Sequence, residues 1–247
     1  KHKRLVRNML LLLSGGARSY QQKVLSYNPI AYWPLNESTG TVAYELVHGG
    51  SWNGAYARDV SAMGTGAGIG DGNTAPLFDG TNDYVNVLSA GLTAAFSGAA
   101  GSALLWLRVS GAGVWTDSTR REALSLQADA QNQVLFRRWT TNNRWLGLYE
   151  AGNTEKQIDT YAQGGVTTWW SFILTWNAAA DEVIGYIDGA QVGLTLNGLG
   201  VWVGALGNAV IGALNTTPLV PWDGPLAHAA VFDRTLTPAS AGDLGAI

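Results

Sequence analysis

The residue types that perform most side-chain chemistry are sparse in this chain. It contains no cysteine, which excludes disulfides, thiol nucleophiles, Cys-ligated metals and iron–sulfur clusters. The three histidines are isolated: His2 in a basic N-terminal stretch, His48 in a Gly-rich turn and His228 in the last apolar run. A lone His on a strand reads as a satisfied structural residue before it reads as a base. No Gly-x-Ser-x-Gly elbow, phosphate-binding glycine loop or His-x-x-x-His pair occurs. Two groups carry more. Asp79, Asn82 and Asp83 could supply oxygen ligands to calcium, although Asp/Asn/Gly turns also arise for purely conformational reasons. No other cofactor is expected. Arg137-Arg138-Trp139 and Asn142-Asn143-Arg144-Trp145 mix cations, amides and indoles on what should be adjacent strands of a hairpin. Sugar rings stack on indole faces, and amides or Arg bind their hydroxyls. Arg137, Trp139, Asn143, Arg144 and Trp145 therefore form a candidate ligand-binding patch. The same patch would serve as a protein hot spot, since Trp and Arg dominate those. Edge tryptophans that simply cover a β core are the alternative.

The elements that must position these groups are strands. From Ile30 onward, short apolar or alternating runs are separated by Gly, Asn, Asp and Thr. The pattern predicts thirteen strands, near Ala31–Leu35, Thr41–Leu46, Pro76–Phe78, Tyr84–Leu88, Ala103–Val109, Ala123–Gln127, Gln133–Trp139, Trp145–Tyr149, Gln157–Tyr161, Trp169–Trp176, Val183–Ile187, Ala209–Gly212 and Pro225–Phe232. So many short strands with frequent turns argue for a sandwich or barrel. Asp79-Gly80 and Asp188-Gly189 are hairpin cues, because Gly supplies the positive φ such turns need. In Trp169–Trp176, Trp170, Phe172, Leu174 and Trp176 point one way, while Ser171, Ile173 and Thr175 point the other. Trp33, Trp106, Trp170 and Trp176 are expected in the core, whereas Trp115, Trp139, Trp145, Trp202 and Trp222 lie near turns or polar neighbours. Thr237 should cap a short terminal helix begun by Pro238. The length of 247 residues suits a single all-β domain of roughly 200–250 residues.

Charge is both low and uneven. Charged residues make up 13% of the chain, against about 25% in an average soluble domain. Such a weakly charged surface suits a secreted protein or one packed into a larger assembly, or it reflects a β protein with many Gly turns. Residues 1–36 hold Lys1, Lys3, Arg4, Arg7, Arg18 and Lys23 and no acid, while the rest of the chain holds nine basic and all eighteen acidic residues. A basic arm on an acidic body suggests an electrostatic tether to nucleic acid, an acidic protein face or an anionic membrane. A short solvated tail is the alternative. Met9-Leu10-Leu11-Leu12-Leu13 is shorter than the roughly 7–15 residues of a signal-peptide apolar region and the roughly 20 of a membrane span. We read it as an apolar plug docked on this domain or on a neighbour, so that Lys3, Arg4, Arg7, Met9, Leu10, Leu11, Leu12 and Leu13 bind a partner subunit. The missing initiator Met leads us to expect a trimmed or incompletely registered start. Tyr20, Val24 and Tyr27 fall at helical spacing, and Asn28-Pro29 ends that short helix. The expected organisation is thus an arm with a short helix over residues 1–29 and a β-sandwich over residues 30–247.

The pieces of that second region, in order, resemble the laminin-G-like family of concanavalin A-like domains. The resemblance runs through Ala31-Tyr32-Trp33-Pro34-Leu35-Asn36-Glu37, Gly50-Ser51-Trp52-Asn53-Gly54-Ala55-Tyr56, Leu77-Phe78-Asp79-Gly80 to Tyr84-Val85, Leu104-Leu105-Trp106-Leu107, Trp170-Ser171-Phe172 to Trp176, Gly185-Tyr186-Ile187-Asp188-Gly189, Trp222-Asp223-Gly224 and Val231 to Pro238. It implies an all-β, jelly-roll sandwich of two antiparallel sheets over about residues 30–245. Glycosidases share this fold, and the resemblance implies they would carry carboxylates spaced as Glu-x-Asp-x-x-Glu on one strand. No strand of this chain does. Some relatives bind calcium, yet Gly224 is followed by Pro225-Leu226-Ala227-His228 where the family usually has an acid.

We therefore expect no enzymatic activity. The first reading is a structural or adhesive surface module, in a virion (a phage decoration or tail protein) or another large assembly, anchored by the arm and oligomeric. The second is a secreted, carbohydrate-binding, lectin-like domain. Neither reading involves sequence-specific nucleic-acid readout or a membrane span. The expected place is a virion surface or the extracellular space.

Overall fold

The computed structural model describes residues 18–140, 144–160 and 165–247. The proposed arm contacts from Lys3 to Leu13, and Asn143 of the ligand patch, lie outside the described residues. The order is α1 (Tyr20–Ser26), β1 (Ala31–Trp33), β2 (Val42–Ala43), β3 (Gly54–Ala57), β4 (Leu77–Asp79), β5 (Tyr84–Asn86), α2 (Ala90–Ala95), β6 (Ala100–Leu107), α3 (Gly113–Thr116), β7 (Arg121–Asp129), β8 (Asn132–Arg138), β9 (Trp145–Ala151), β10 (Thr154–Thr160), β11 (Trp170–Asn177), β12 (Glu182–Ile187), β13 (Ala190–Leu196), β14 (Asn208–Ile211), β15 (Asp223–Phe232) and α4 (Pro238–Leu244). One sheet runs β1-β15-β6-β11-β12-β13, with β4 beside β15. The other runs β10-β9-β8-β7-β14-β5-β3-β2. The fold is the expected sandwich of two antiparallel sheets.

Alternation along the strands divides the apolar residues between two clusters. Leu105 and Leu107 of β6, with Trp170, Phe172, Leu174 and Trp176 of β11, face Val134, Phe136, Trp145 and Tyr149 across the space between the sheets. Leu104, Trp106 and Ile173 point the opposite way and pack under α1 and α4, against Tyr20, Val24, Ala241 and Leu244. Between the sheets, Phe172 and Leu174 fill the space over Gly147. A Cβ there would sit 2.4 Å from the ring of Phe172, so β9 has no room for a side chain at that point. Ser19 caps α1 with a reciprocal bond to Gln22, and Thr237 caps α4 with Pro238 at its start.

Several expectations need correction. Asp79-Gly80 does not close a hairpin: β4 joins β15, and β5 joins β3 and β14 of the opposite sheet. The turn is a crossing between layers, held by the Asp83 carboxylate accepting from the Asp79 backbone N–H at 3.0 Å. Asp188-Gly189 does close the β12–β13 hairpin, with φ of 48° and 77°, as a two-residue turn requires. Strands β3 and β13 and helices α2 and α3 were not anticipated, because their Gly-, Ala- and Thr-rich sequences show little period. The expected strand Thr41–Leu46 pairs only over Val42–Ala43, since the Glu37, Asn53 and Tyr32 oxygens take up the N–H groups of Tyr44, Glu45 and Leu46. Among the described residues, no helix is long and apolar enough to cross a membrane.

Candidate functional site

The outer face of the eight-stranded sheet carries the densest polar chemistry. Because Val134 and Phe136 of β8 and Trp145 and Tyr149 of β9 face inward, their strand neighbours face outward. Register then sets three rows: Glu122, Arg137, Leu146 and Asp159; Ser125, Leu135, Leu148 and Gln157; and Gln127, Gln133, Glu150 and Glu155. Leu135, Leu146 and Leu148 are buried, so the middle of the face is closed to solvent and its chemistry lies at the two ends.

One end is an amide ladder. The Asn208 amide donates to Gln127 at 3.2 Å and to Ser125 at 3.0 Å, the Gln127 amide donates to Gln133 at 2.7 Å, and the Gln133 amide donates to Glu150 at 2.6 Å. The other end is built around Glu122. Its Oε1 accepts from Arg120 Nε at 2.8 Å and lies 3.2 Å from Arg137 Nε. Glu122 is fully buried and its Oε2 has no hydrogen-bond partner among the described residues. Burial pushes its pKa up, against the pull of Arg137 and Arg120. Both guanidinium groups lie 5.6 Å from the ring centre of Trp139, within reach of a cation–π contact. Trp139 itself is half-buried. Its backbone N–H donates to the carbonyl of Arg144 at 2.9 Å, and Arg144 Nε donates to Asp159 at 2.9 Å. The result is an indole with fixed cations around it at one rim of the sheet.

The structure thus brings Arg137, Trp139 and Arg144 together and removes Trp145 from the patch. Trp145 is fully buried, edge-on to Trp170 at 4.7 Å and to Trp222 at 5.9 Å. The reason is strand period: Trp145 lies opposite Arg138, not opposite Arg137, and both members of that pair face inward. Arg138 donates to the carbonyls of Thr119 and Trp115 and pairs with Asp117 at 3.2 Å. Trp115 and Trp222 are likewise buried, and Trp33, Trp106, Trp170 and Trp176 are buried as expected. Sequence reading missed Arg120 and Glu122. Their only local signal was the unusual run Arg120-Arg121-Glu122, and a bulge between Glu122 and Leu124 hides which face each takes.

The proposed calcium ligands are largely committed to their own turn. Asp79 accepts from the N–H of Thr81 at 2.7 Å, and Asp83 from that of Asp79. Burial raises the Asp83 pKa to about 6, and the charges of Asp79 and Asp59 add to the rise. Asn82 Oδ1 and Asp83 Oδ1 are buried with no hydrogen-bond partner among the described residues. Calcium takes about 6–8 oxygens. Among the described residues no group of three or more acids or histidines is placed to hold a metal, and Asp79 and Asp83 already accept from backbone N–H groups of their own turn.

His228 sits at a bulge of β15 with φ of 53°. Its Nδ1 lies 2.6 Å from the Tyr32 hydroxyl and its Nε2 3.1 Å from Asp71. Burial lowers the His228 pKa although Asp71 opposes the shift. Asp71 is held at about 2: burial works against its ionisation, but the bonds from His228 and Asn73 prevail. Helix α1 closes over this centre, where Trp106 Nε1 donates to the Tyr20 hydroxyl at 2.6 Å and that hydroxyl donates to the Leu244 carbonyl at 2.5 Å.

The family model described as the concanavalin A-like lectin/glucanases superfamily matches residues 79–241. No curated protein matches the chain. Among solved structures, domain 4 of AbnA, a GH43 extracellular arabinanase from Geobacillus stearothermophilus in complex with arabinotriose, superposes with a TM-score of 0.63 at 13% identity, covering 88% of this chain and 98% of that one. The botulinum neurotoxin serotype D binding domain gives 0.60 at 12% identity, covering 87% and 50%. Trypanosoma rangeli sialidase in complex with the inhibitor DANA gives 0.58 at 10% identity, covering 87% and 32%. The chain therefore spans about half of the toxin domain and about a third of the sialidase. At these identities the likeness is one of fold.

Proposed function

Because this chain belongs to the concanavalin A-like lectin/glucanases superfamily, we propose that it is a non-catalytic recognition module that binds carbohydrate at the Trp139 rim of its eight-stranded sheet. The observation that carries this reading is the half-buried Trp139 indole with Arg120 and Arg137 set around it by the buried Glu122. A sugar ring can stack on the indole while Arg120 and Arg144 donate to its hydroxyls. Glu122 fixes the cations beforehand, so little side-chain freedom is lost on binding. The arabinotriose complex of the arabinanase domain supports a carbohydrate ligand by analogy of fold only.

The same geometry favours binding over hydrolysis. A glycosidase of the usual kind needs two carboxylates flanking the scissile bond, one of them able to donate a proton. Glu122 has the raised pKa of such an acid but is sealed by two guanidinium groups. Glu150 accepts from Gln133, and Asp159 from Arg144. The test is a glycan array followed by titration of the hits against Trp139→Ala and Arg120→Ala. Binding should weaken about tenfold or more in each, while circular dichroism stays unchanged. Hydrolysis of any bound glycan on prolonged incubation would contradict the non-catalytic part.

As a finer proposal we place the module on a virion or other extracellular assembly, held by its basic, apolar arm. The uneven charge and the weakly charged surface motivate this. Removal of residues 1–15 with full retention of assembly would contradict it.

A further inference from the structure

The outer face of the seven-stranded sheet holds a titratable centre that carbohydrate binding does not use. Strand β15 bulges between Ala227 and Ala230, and His228 there takes a φ of 53°. Ala227 and Ala230 pack with Tyr20 and Val24 of α1. The His228 ring lies on the same side, edge-on to Tyr20 at 4.7 Å, and its side chain is 1% exposed. An imidazole so placed is held in one protonation state by its neighbours, and a change of that state must be felt by the helix above it.

Asp71 and Tyr32 decide which nitrogen carries the hydrogen. Asp71 Oδ2 lies 3.1 Å from Nε2, and bonds from His228 and Asn73 keep this carboxyl ionised. A carboxylate only accepts, so Nε2 donates to it. Nδ1 of the neutral ring is then a bare acceptor, and the Tyr32 hydroxyl, 2.6 Å away, donates to it. A second proton on the ring would go to Nδ1 and meet that O–H head-on. The Tyr32 hydrogen would have to turn away, and among the described residues the hydroxyl has no other hydrogen-bond partner. A buried donor left without an acceptor costs about 1–3 kcal/mol. The remaining titratable groups around the centre are engaged elsewhere. The Tyr20 hydroxyl is taken by Trp106 of β6 and Leu244 of α4, and Asp243 of α4 by Lys23 and Tyr27. Arg18, Lys23, Tyr20 and Asp71 line a cavity of about 130 Å³ between α1 and the relay, which gives water a short route to the pair once α1 moves.

We propose that the Asp71–His228–Tyr32 relay is an acid-released latch for α1: a proton on His228 frees the helix from the seven-stranded sheet while the sandwich stays folded. The helix is the element that yields because it has least to lose. Tyr20 and Val24 are its buried residues, and its ties to α4 include Lys23 donating to the carbonyls of Asp243 and Ala246 near the surface. Such short, weakly buried elements open before the core does, and opening lets water solvate the imidazolium. Burial lowers the His228 pKa although Asp71 opposes the shift. The latch is therefore complete above the unfolded value of about 6.5 and is lost as pH falls below it through the folded value. The relay sits on the opposite sheet from the Trp139 rim, so it stands or falls separately from carbohydrate binding.

The test is hydrogen exchange of the full chain at about pH 7.5 and about pH 5, read by mass spectrometry and corrected for intrinsic exchange rates. Protection of α1 should fall about tenfold or more at the lower pH, while β8 and β9 keep theirs. His228→Gln, which cannot titrate, should hold α1 protection nearly equal at both values. His48→Gln, at the exposed histidine stacked on Trp52, should still show the loss. In the wild type, the His228 ring signal followed by NMR should titrate over the same range in which α1 loses protection, a readout that does not depend on the buried substitution folding. Protection of α1 that ignores pH, an equal loss in folded His228→Gln, no loss in His48→Gln, a His228 titration out of step with α1, or an equal loss throughout the sandwich would overturn the proposal.

Discussion

Glu122 shows how one buried charge organises a surface. Alone in the sheet face it would be costly, and burial raises its pKa. Paired with Arg120 and Arg137 it becomes the post to which both guanidinium groups are tied, and they in turn frame Trp139. Trp145, seemingly a member of the same patch, has the opposite role. Truncation of Trp145 to Ala should cost about 3–5 kcal/mol of stability, read by denaturant unfolding, because four aromatic neighbours lose their contact with it. Asp83 supplies a pH-dependent case. Its folded pKa of about 6 lies above the unfolded value of about 3.9, so ionising it in the fold opposes folding. That penalty develops as pH rises from about 4 to 6 and is complete above it. Asp83→Asn should therefore raise the melting temperature at pH 7 and do so much less at pH 4. A gain equal at both values would contradict this assignment.

At the scale of elements, the clearest signals in the sequence were those with a strict period or a strict turn. The inward set of β11 follows the alternation of Trp170, Phe172, Leu174 and Trp176, and Asp188-Gly189 fits the only backbone that a two-residue hairpin allows. Asp79-Gly80 has the same letters and a different outcome, because whether a turn stays in one sheet depends on where the flanking strands find partners. The ligand patch loses one member, Trp145, at a related point. Residues close in sequence were assigned to one face, whereas register sends Trp145 inward and brings up Arg120 and Glu122 from β7. No local pattern encodes that pairing. Helix α1 was legible from its spacing, but its anchor was not. Tyr20→Phe removes the hydroxyl that joins Trp106 to Leu244 and leaves a buried indole N–H unpaired. It should destabilise the protein by about 1–3 kcal/mol, measurable by thermal unfolding, with earlier hydrogen exchange in α1 and α4.

Across the whole molecule, charge is distributed in three zones. The first 36 residues are purely basic, the sandwich is acidic, and residues 189–222 are neutral. The neutral run passes from β13, at the edge of one sheet, to β14, an inner strand of the sheet that carries the Trp139 rim. The composition indicated this only as low charge overall.

The most direct test of the central claim is calorimetric titration of the glycan selected by array binding into the full chain and its Trp139→Ala variant. We expect saturable binding by the wild type and at least about a tenfold loss in the variant, with identical unfolding curves for the two proteins. Equal affinity in both, with the fold intact, would contradict a carbohydrate site at the Trp139 rim.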